Sequence, residues 1–328
     1  MTTRRQTMVV LGAGAIAAPW LSRAQSRVVR IGFLAASASD SRMLPRVRAM
    51  REGLRDYGYV EGSNLQIELR WANGKLDRIP TLAAELIALK VDAIVVAGAA
   101  ATVGALAATK TIPIIMASSS DPVADGYAAS LARPGGNATG LSSMSPELGA
   151  KRIQLLKEVH PKISRSLAVM WNSTVSGMRA RFEETRAAAP KLGLDVRSVE
   201  VKDLNELEIA FASISKEPPD ALVLIADPFT ASQRTRIVEF MAARRIPTIY
   251  ESGDFAEAGG LMSYGPDITA QFHRTAYYID RIVKGAKAGD LPIEQPAKFE
   301  FVINLKTARA LDLKIPDSIL LQATRVIE

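Results

Sequence analysis

Two stretches of this 328-residue chain echo one another, and an internal repeat restricts the fold more than any bulk property does. Val91-Asp92-Ala93-Ile94-Val95-Val96-Ala97-Gly98 returns as Pro219-Asp220-Ala221-Leu222-Val223-Leu224-Ile225-Ala226-Asp227. Each copy is followed by a helical pattern and then by an Ile-Pro-x-Ile strand. Those strands are Ile112-Pro113-Ile114-Ile115 and Ile246-Pro247-Thr248-Ile249, with the second copy several residues longer. Short apolar strands also recur in unrelated α/β units. The shared order of Asp, strand, helix and Ile-Pro nevertheless predicts two similar lobes.

Around the copies, short runs rich in Val and Ile alternate with helical spacing. Strands are predicted at residues 28–35, 65–71, 93–97, 114–117, 167–171, 196–201, 221–226, 247–250 and 261–264. Helical faces are seen in Ile79, Leu82, Ala83 and Leu86, and in Leu148, Leu155, Leu156 and Val159. Near-continuous apolar strands separated by helices are buried on both faces, which requires parallel sheets with helices on either side. The expected class is α/β, with two doubly wound parallel-sheet lobes. The Gly/Pro-rich residues 131–140 are expected to cross between them.

The chain opens with an export signal. Arg4 and Arg5 precede an uncharged, mostly apolar run over residues 8–21, and Ser22-Arg23-Ala24 puts small residues where a signal peptidase reads. Spanning a bilayer takes about 20 apolar residues, and Pro19 interrupts this shorter run. Residues 1–24 are therefore expected to be removed, leaving a soluble periplasmic protein that starts at or near Gln25. Residues 3–9 resemble a twin-arginine signal with Thr7 in place of the usual Phe, so the twin-arginine and Sec routes both stay open. Residues 9–17 also match the G-x-G-x-x-A start of a dinucleotide-binding unit. Pro19 and Trp20 break the helix that such a unit needs, and no cofactor is expected.

Composition removes other classes. The chain has no Cys, hence no disulfide framework, thiolate nucleophile or cysteine metal site. Its net charge of +7 is spread over single and paired basic residues, which does not suit nucleic-acid binding. His160, before Pro161 at a helix end, and His273, on a helix starting near Ile268, are the only histidines. No nucleophile and base can be named together, so no enzyme is expected, and no metal site.

Ligands of open parallel sheets bind outside the carboxyl ends of the strands, where helix N-termini and loops converge. Here those loops hold Ser37 and Asp40, Ala99 and Thr102, and Ser118, Ser119 and Asp121 in the first half. Asn172, Asp227 and Glu251 stand at the corresponding places in the second. Ser37, Ser118, Ser119, Ser120 and Asn172 can hydrogen-bond a carboxylate, and Asp121, Asp227 and Glu251 can pair with an ammonium group. An amino acid or similar small zwitterion fits. Asp121 and Asp227 each precede a proline, so they are also natural helix caps or turn starters, and at Glu251 and Ser252 the Ser252-Gly253-Asp254 turn chemistry reads more readily as solvated. Of the candidate aromatic partners Trp71 and Tyr127, Trp71 at a strand end reads more readily as packing.

Longer motifs carry a family resemblance. They are Ile31-Gly32-Phe33-Leu34, Glu61-Gly62-Ser63-Asn64-Leu65, Arg70-Trp71-Ala72, Asp121-Pro122-Val123, residues 131–140 and Asp227-Pro228-Phe229. Residues 257–265 and 299–308 continue them. The chain resembles the ABC transporter substrate-binding proteins of the tryptophan/tyrosine type, which are similar to type I periplasmic binding proteins. That resemblance implies two lobes joined by a three-crossing hinge: residues 25–140 with about 266–295, and residues 141–265 with about 296–328. It also implies a monomer that closes on its ligand and delivers it to an inner-membrane ABC permease driven by a separate ATPase. A ligand-sensing protein on the same fold is the alternative; a repressor-like regulator would need a DNA-binding helix-turn-helix where the export signal stands. The family often carries a hydroxyl after the third strand, whereas Gly98-Ala99-Ala100-Ala101 offers only backbone N–H groups until Thr102.

Overall fold

A computed structural model describes residues 27–40, 42–119, 121–143, 148–175 and 177–328. The expected export signal and its G-x-G-x-x-A match lie outside the described residues. The first lobe is built on β1 (Val29–Ala35), β2 (Leu65–Trp71), β3 (Ala93–Ala97), β4 (Ile114–Ser119) and β5 (Ala138–Ser142). Between them run α1 (Met43–Asp56), α2 (Ile79–Ala88) and α3 (Ala99–Ala108). All neighbouring strands are parallel, in the order β2-β1-β3-β4-β5. Successive strand residues point to opposite faces. Ile31, Phe33, Val95 and Ile115 therefore meet Val47 and Met50 of α1, while Leu34, Ile94, Val96 and Met116 meet Leu82 and Leu86 of α2.

The second lobe holds α4 (Leu148–Val159), β6 (Ser166–Trp171), α5 (Met178–Ala188), β7 (Asp195–Glu200), α6 (Leu204–Lys216) and β8 (Ala221–Leu224). It continues through α7 (Pro228–Ser232), α8 (Arg234–Ala243), β9 (Thr248–Tyr250), α9 (Gly253–Glu257) and β10 (Met262–Pro266). The next helix, α10 (Ile268–Val283), returns to the first lobe and packs on α1 and β4. The second lobe is completed by β11 (Phe299–Asn304), α11 (Leu305–Ala310), α12 (Asp317–Leu320) and β12 (Arg325–Ile327), giving the order β12-β11-β10-β9-β8-β6-β7. The chain thus passes between the sheets three times, after β5, after β10 and before β11. These passages are laced together: Ser142 N–H donates to the Glu294 carbonyl at 2.8 Å, Glu294 N–H to Gly140 at 3.0 Å, and Asp267 N–H to Lys298 at 3.0 Å.

The expected α/β class with two parallel-sheet lobes is the one found, with one local departure, and one further expectation is corrected. The second sheet is not wholly parallel, because β10 and β11 run antiparallel; the return through α10 brings the chain back from the opposite side. Residues 131–140 are not a crossing, since Ala138, Thr139 and Gly140 open β5 and pair with β4. Gly140 is required there: its φ is +128°, and a Cβ would lie 2.3 Å from the Met116 carbonyl oxygen.

The echoed sequence marks equivalent places in the two sheets. Ile94 N–H donates to Pro113 O and Leu222 N–H to Pro247 O, each at 2.9 Å. The paired aspartates also match in role. The Asp92 carboxylate accepts from the Arg30 amide at 2.8 Å. That of Asp220 accepts from the Ser164, Arg165 and Ser166 amides at 3.1, 2.9 and 3.0 Å. Each ties the start of its strand to the neighbouring strand.

Candidate ligand-binding cleft

In the first lobe, the polar groups at the strand ends are mostly uncommitted. Gly98 holds the N-cap of α3 at φ +92°, a conformation that L side chains rarely adopt, and no side chain caps this helix. The first-turn amides around Ala99 therefore stay available, at the end of the helix that favours negative charge. Beside them, Ser118 pairs with Ala97 across the β3–β4 ladder, and its half-buried hydroxyl bonds no other described residue. The Ser119 Oγ is buried and also without a partner among the described residues. Asp121 uses one carboxylate oxygen to accept from the Val123 and Ala124 amides at 3.2 and 3.0 Å, which leaves the other oxygen open.

Two expected positions in this lobe, Asp40 and Thr102, are engaged within their own chain. Asp40 accepts from the Arg42 and Met43 amides at 3.0 Å each and from the Arg42 guanidinium at 2.8 Å, so it starts α1 rather than facing a ligand. Burial pushes its carboxyl up, but the Arg42 side chain and the Met43 amide outweigh that and hold it below the ordinary value. Thr102 is 1% exposed and turns its hydroxyl back onto the Gly98 carbonyl at 3.2 Å. Ser37 lies half-buried beyond β1, where its backbone carbonyl accepts the Asn73 amide and its hydroxyl stays uncommitted among the described residues. Trp71 packs on Phe33 with ring centroids 5.1 Å apart, and Tyr127 packs on the α2–α3 side of the sheet.

The second lobe answers with a wired set. Asp227 caps α7 in a capping box: its carboxylate takes the Thr230 and Phe229 amides at 2.9 and 3.1 Å and the Thr230 hydroxyl at 2.6 Å. Asn172 adds a fourth donor to the same carboxylate at 2.8 Å, and both residues are buried. The Asn172 carbonyl oxygen in turn accepts from Thr174. Glu251 also meets partners of its own chain. One carboxylate oxygen takes Arg152 at 3.0 Å and pairs with Arg181; the other takes the Ala226 amide at 3.0 Å.

Arg152 and Arg181 complete this set, and the sequence reading did not single them out. Arg152 comes from α4 and also donates to the Tyr264 carbonyl at 2.7 Å, while Arg181 comes from the first turn of α5. Burial pushes the Arg152 guanidinium down to about 10 against the pull of Tyr264 and Glu184. Burial, then the charge of Arg152, pushes Arg181 down to about 9 against Glu184. Both stay charged at neutral pH, so Glu251 sits between two buried cations and pins the ends of β8 and β9 to α4 and α5. A signal for this existed in the sequence. Arg152 falls in the apolar stripe of Leu148, Leu155, Leu156 and Val159, and Arg181 in that of Met178, Phe182 and Thr185.

Neither histidine lies among these loops. His273 sits 3.1 Å from Asp56 on the exposed side of α10 and α1, and the His160 carbonyl takes the Ile163 amide at the far end of α4. Among the described residues no group of three or more His, Asp or Glu is arranged to hold a metal ion, and no helix is long and apolar enough to cross a membrane.

A protein-family model described as ABC transporter substrate binding protein matches residues 33–327. The chain belongs to that family. Its members are binding proteins rather than enzymes. A tyrosine-binding protein of Clostridioides difficile (strain R20291) is 26% identical over 264 residues, 80% of this substrate-binding protein and 75% of that one. The structure of an ABC domain in complex with L-Trp from Streptococcus pneumonia superposes with a TM-score of 0.83 at 28% identity, covering 91% of this chain and 99% of that one. A ligand-free, open substrate-binding protein with adhesive properties from Clostridium difficile superposes at 0.73, with 23% identity and 92% and 99% coverage, and this shares the fold.

Proposed function

We propose that this protein captures an amino acid of the tryptophan or tyrosine kind between its lobes, outside the cytoplasm, and hands it to an ABC permease for import. One observation carries the reading. Helix α7 in the second lobe has a built-in carboxylate on its N-terminus, Asp227, whereas the helix at the matching strand end of the first lobe, α3, has none. Gly98 at φ +92° denies α3 any side-chain cap, so its bare amides and the Ser118 and Ser119 hydroxyls are suited to a carboxylate brought by the ligand. In this reading the oxygen of Asp121 that the Val123 and Ala124 amides leave unused takes the ammonium group. An anion on a helix N-terminus gains from both the free N–H groups and the helix dipole.

Closure of the second lobe over the ligand then shifts the population toward the form that a permease reads. Isothermal titration with tryptophan, tyrosine and their carboxamides tests the proposal. The acids are expected to bind, and the carboxamides to lose about 2 kcal/mol or more, roughly thirtyfold, for want of the negative charge. Equal affinity for acid and amide would remove the carboxylate from the α3 terminus, and failure of both amino acids to bind would overturn the ligand class.

A further inference from the structure

The two lobes also meet away from the strand-end loops. On the α1 side of the cleft, Arg46 of the first lobe lies 3.1 Å from Asp254 of the second, with the side chains 18% and 20% exposed. The pair borders a cavity of about 260 Å³ lined by Arg42 and Arg46 on one side and by Asp254, Glu257, Glu300 and Arg325 on the other. The charges of the two walls are complementary. On the second lobe, two carboxylates share one guanidinium, with Arg325 at 2.7 Å from Glu257 and 3.3 Å from Glu300, and Asp254 stands on the same wall. Burial pushes the Glu300 carboxyl up; Arg325 opposes this, while Asp267, Glu257 and Asp254 add to it. On the first lobe, Arg42 is committed to Asp40. Arg46, whose other contact is the Met43 sulfur at 3.9 Å, is the cation that meets the acidic wall.

We propose that Arg46 and Asp254 form an interlobe latch that holds the clamshell closed, setting ligand affinity through closure rather than through ligand contact. Opening would separate α1 from α9 and leave Asp254, Glu257 and Glu300 facing one another with Arg325 alone. Closing returns Arg46 to them. The pair is well shielded from water, so its attraction exceeds that of an exposed surface pair. It exists only while the lobes touch, and it therefore favours the closed form directly. Apparent affinity scales with the fraction of the protein that is competent to close, so strengthening or cutting the latch changes affinity by the same factor.

The latch rests on the clamshell reading above, and its test separates the two. Because the chain has no Cys, Leu76→Cys with Ile209→Cys gives two spin-label sites at exposed positions on opposite lobes, in segments that follow β2 and β7. Distances are measured without ligand in this background and after adding Arg46→Gln, Asp254→Asn or both. The expected result is a shift to longer separation in each, with the double variant no more open than the singles. Titration of tryptophan or tyrosine is expected to show about fivefold weaker affinity in each single variant and no further loss in the double, the signature of a coupled pair. High salt should weaken the parent protein and leave the double variant nearly unmoved. Ligand-free distances that stay unchanged when both side chains are replaced overturn the latch. A shift in distance without any amino-acid binding supports the latch and instead overturns the ligand reading.

Discussion

Each lobe builds the same strand-helix-strand unit, and each finishes it differently at the cleft. After β3, a glycine in a backbone conformation closed to side chains leaves α3 uncapped. After β8, Asp227 caps α7 and takes Asn172 as well. Ser118, Ser119 and Asp121 keep open hydrogen-bonding capacity, whereas Asn172, Asp227 and Glu251 are engaged by their own chain, Asp227 with four donors. The difference teaches that a polar residue at a strand end is available to a ligand only where the fold leaves it unsatisfied. Asp121-Pro122 and Asp227-Pro228 read alike as sequence, yet one carboxylate has an oxygen to offer and the other has none.

The largest expected effect breaks the second lobe's wiring at its centre. Replacing Glu251 with Ala strands Arg152 and Arg181 in a buried site with a backbone carbonyl and Glu184 as their remaining company. Removing one partner of a buried ion pair typically costs about 3–5 kcal/mol, because an uncompensated charge remains. Chemical denaturation should show a loss of that size. The matching change in the first lobe, Ser118→Ala, should leave stability within about 0.5 kcal/mol, since no packing or cap depends on it. If Glu251→Ala cost less than about 1 kcal/mol, the guanidinium groups would have to reach water, and the pinning role would fail.

Next in size is the contrast between the two aspartates. Asp227→Ala should lose about 2–3 kcal/mol of stability, from the capping box together with an Asn172 amide left buried without its acceptor. Asp121→Ala should cost at most about 1 kcal/mol of stability but roughly thirtyfold in amino-acid affinity. Thermal melts and titrations on both variants check this. The reverse pattern, stability lost at Asp121 and affinity lost at Asp227, would exchange the roles of the lobes.

Much of the fold was legible from the residues. Runs such as Ala93–Ala97 and Ala221–Leu224 are short, apolar and bounded by turns, and burial on both faces makes them so. What escaped were β5, β11 and β12. Ala138–Ser142 is made mostly of small residues, with Leu141 its one large apolar side chain, after a Gly/Pro-rich stretch, and only its pairing with β4 makes it a strand. Phe299–Asn304 runs antiparallel at a position set by the return through α10, a property of topology that no local pattern carries. Arg325–Ile327 is a three-residue edge strand. At the cleft, sequence located the loops but not their partners. Whether Asp40, Thr102 or Glu251 is open to a ligand depends on which partners lie nearby: the Arg42 guanidinium donates to Asp40, the Thr102 hydroxyl donates to the Gly98 carbonyl, and Glu251 accepts from arginines of α4 and α5.

The smallest expected effect tests the repeat at the opposite end of the sheets, where the echoed aspartates do the same work with unequal means. Asp220 takes three amides and the Ser164 hydroxyl, the last at 3.0 Å; Asp92 takes one amide and the exposed Arg27 side chain. Asp220→Ala should therefore cost about 1–2 kcal/mol and Asp92→Ala about half as much. The Arg165 amide lowers the Asp220 carboxyl below its ordinary 3.8; burial opposes this, and the Ser166 and Ser164 donors reinforce it. A group whose pKa is depressed by folding contributes its stability above the unfolded value and loses it as the pH falls through the folded one. The gap between parent and Asp220→Ala should accordingly be full at pH 7 and begin to shrink as the pH drops below about 4. Denaturation at pH 7, 5 and 3 measures it. A gap that stayed constant down to pH 3 would mean that the carboxylate charge contributes nothing, and the strand-start tie would then be one of shape alone.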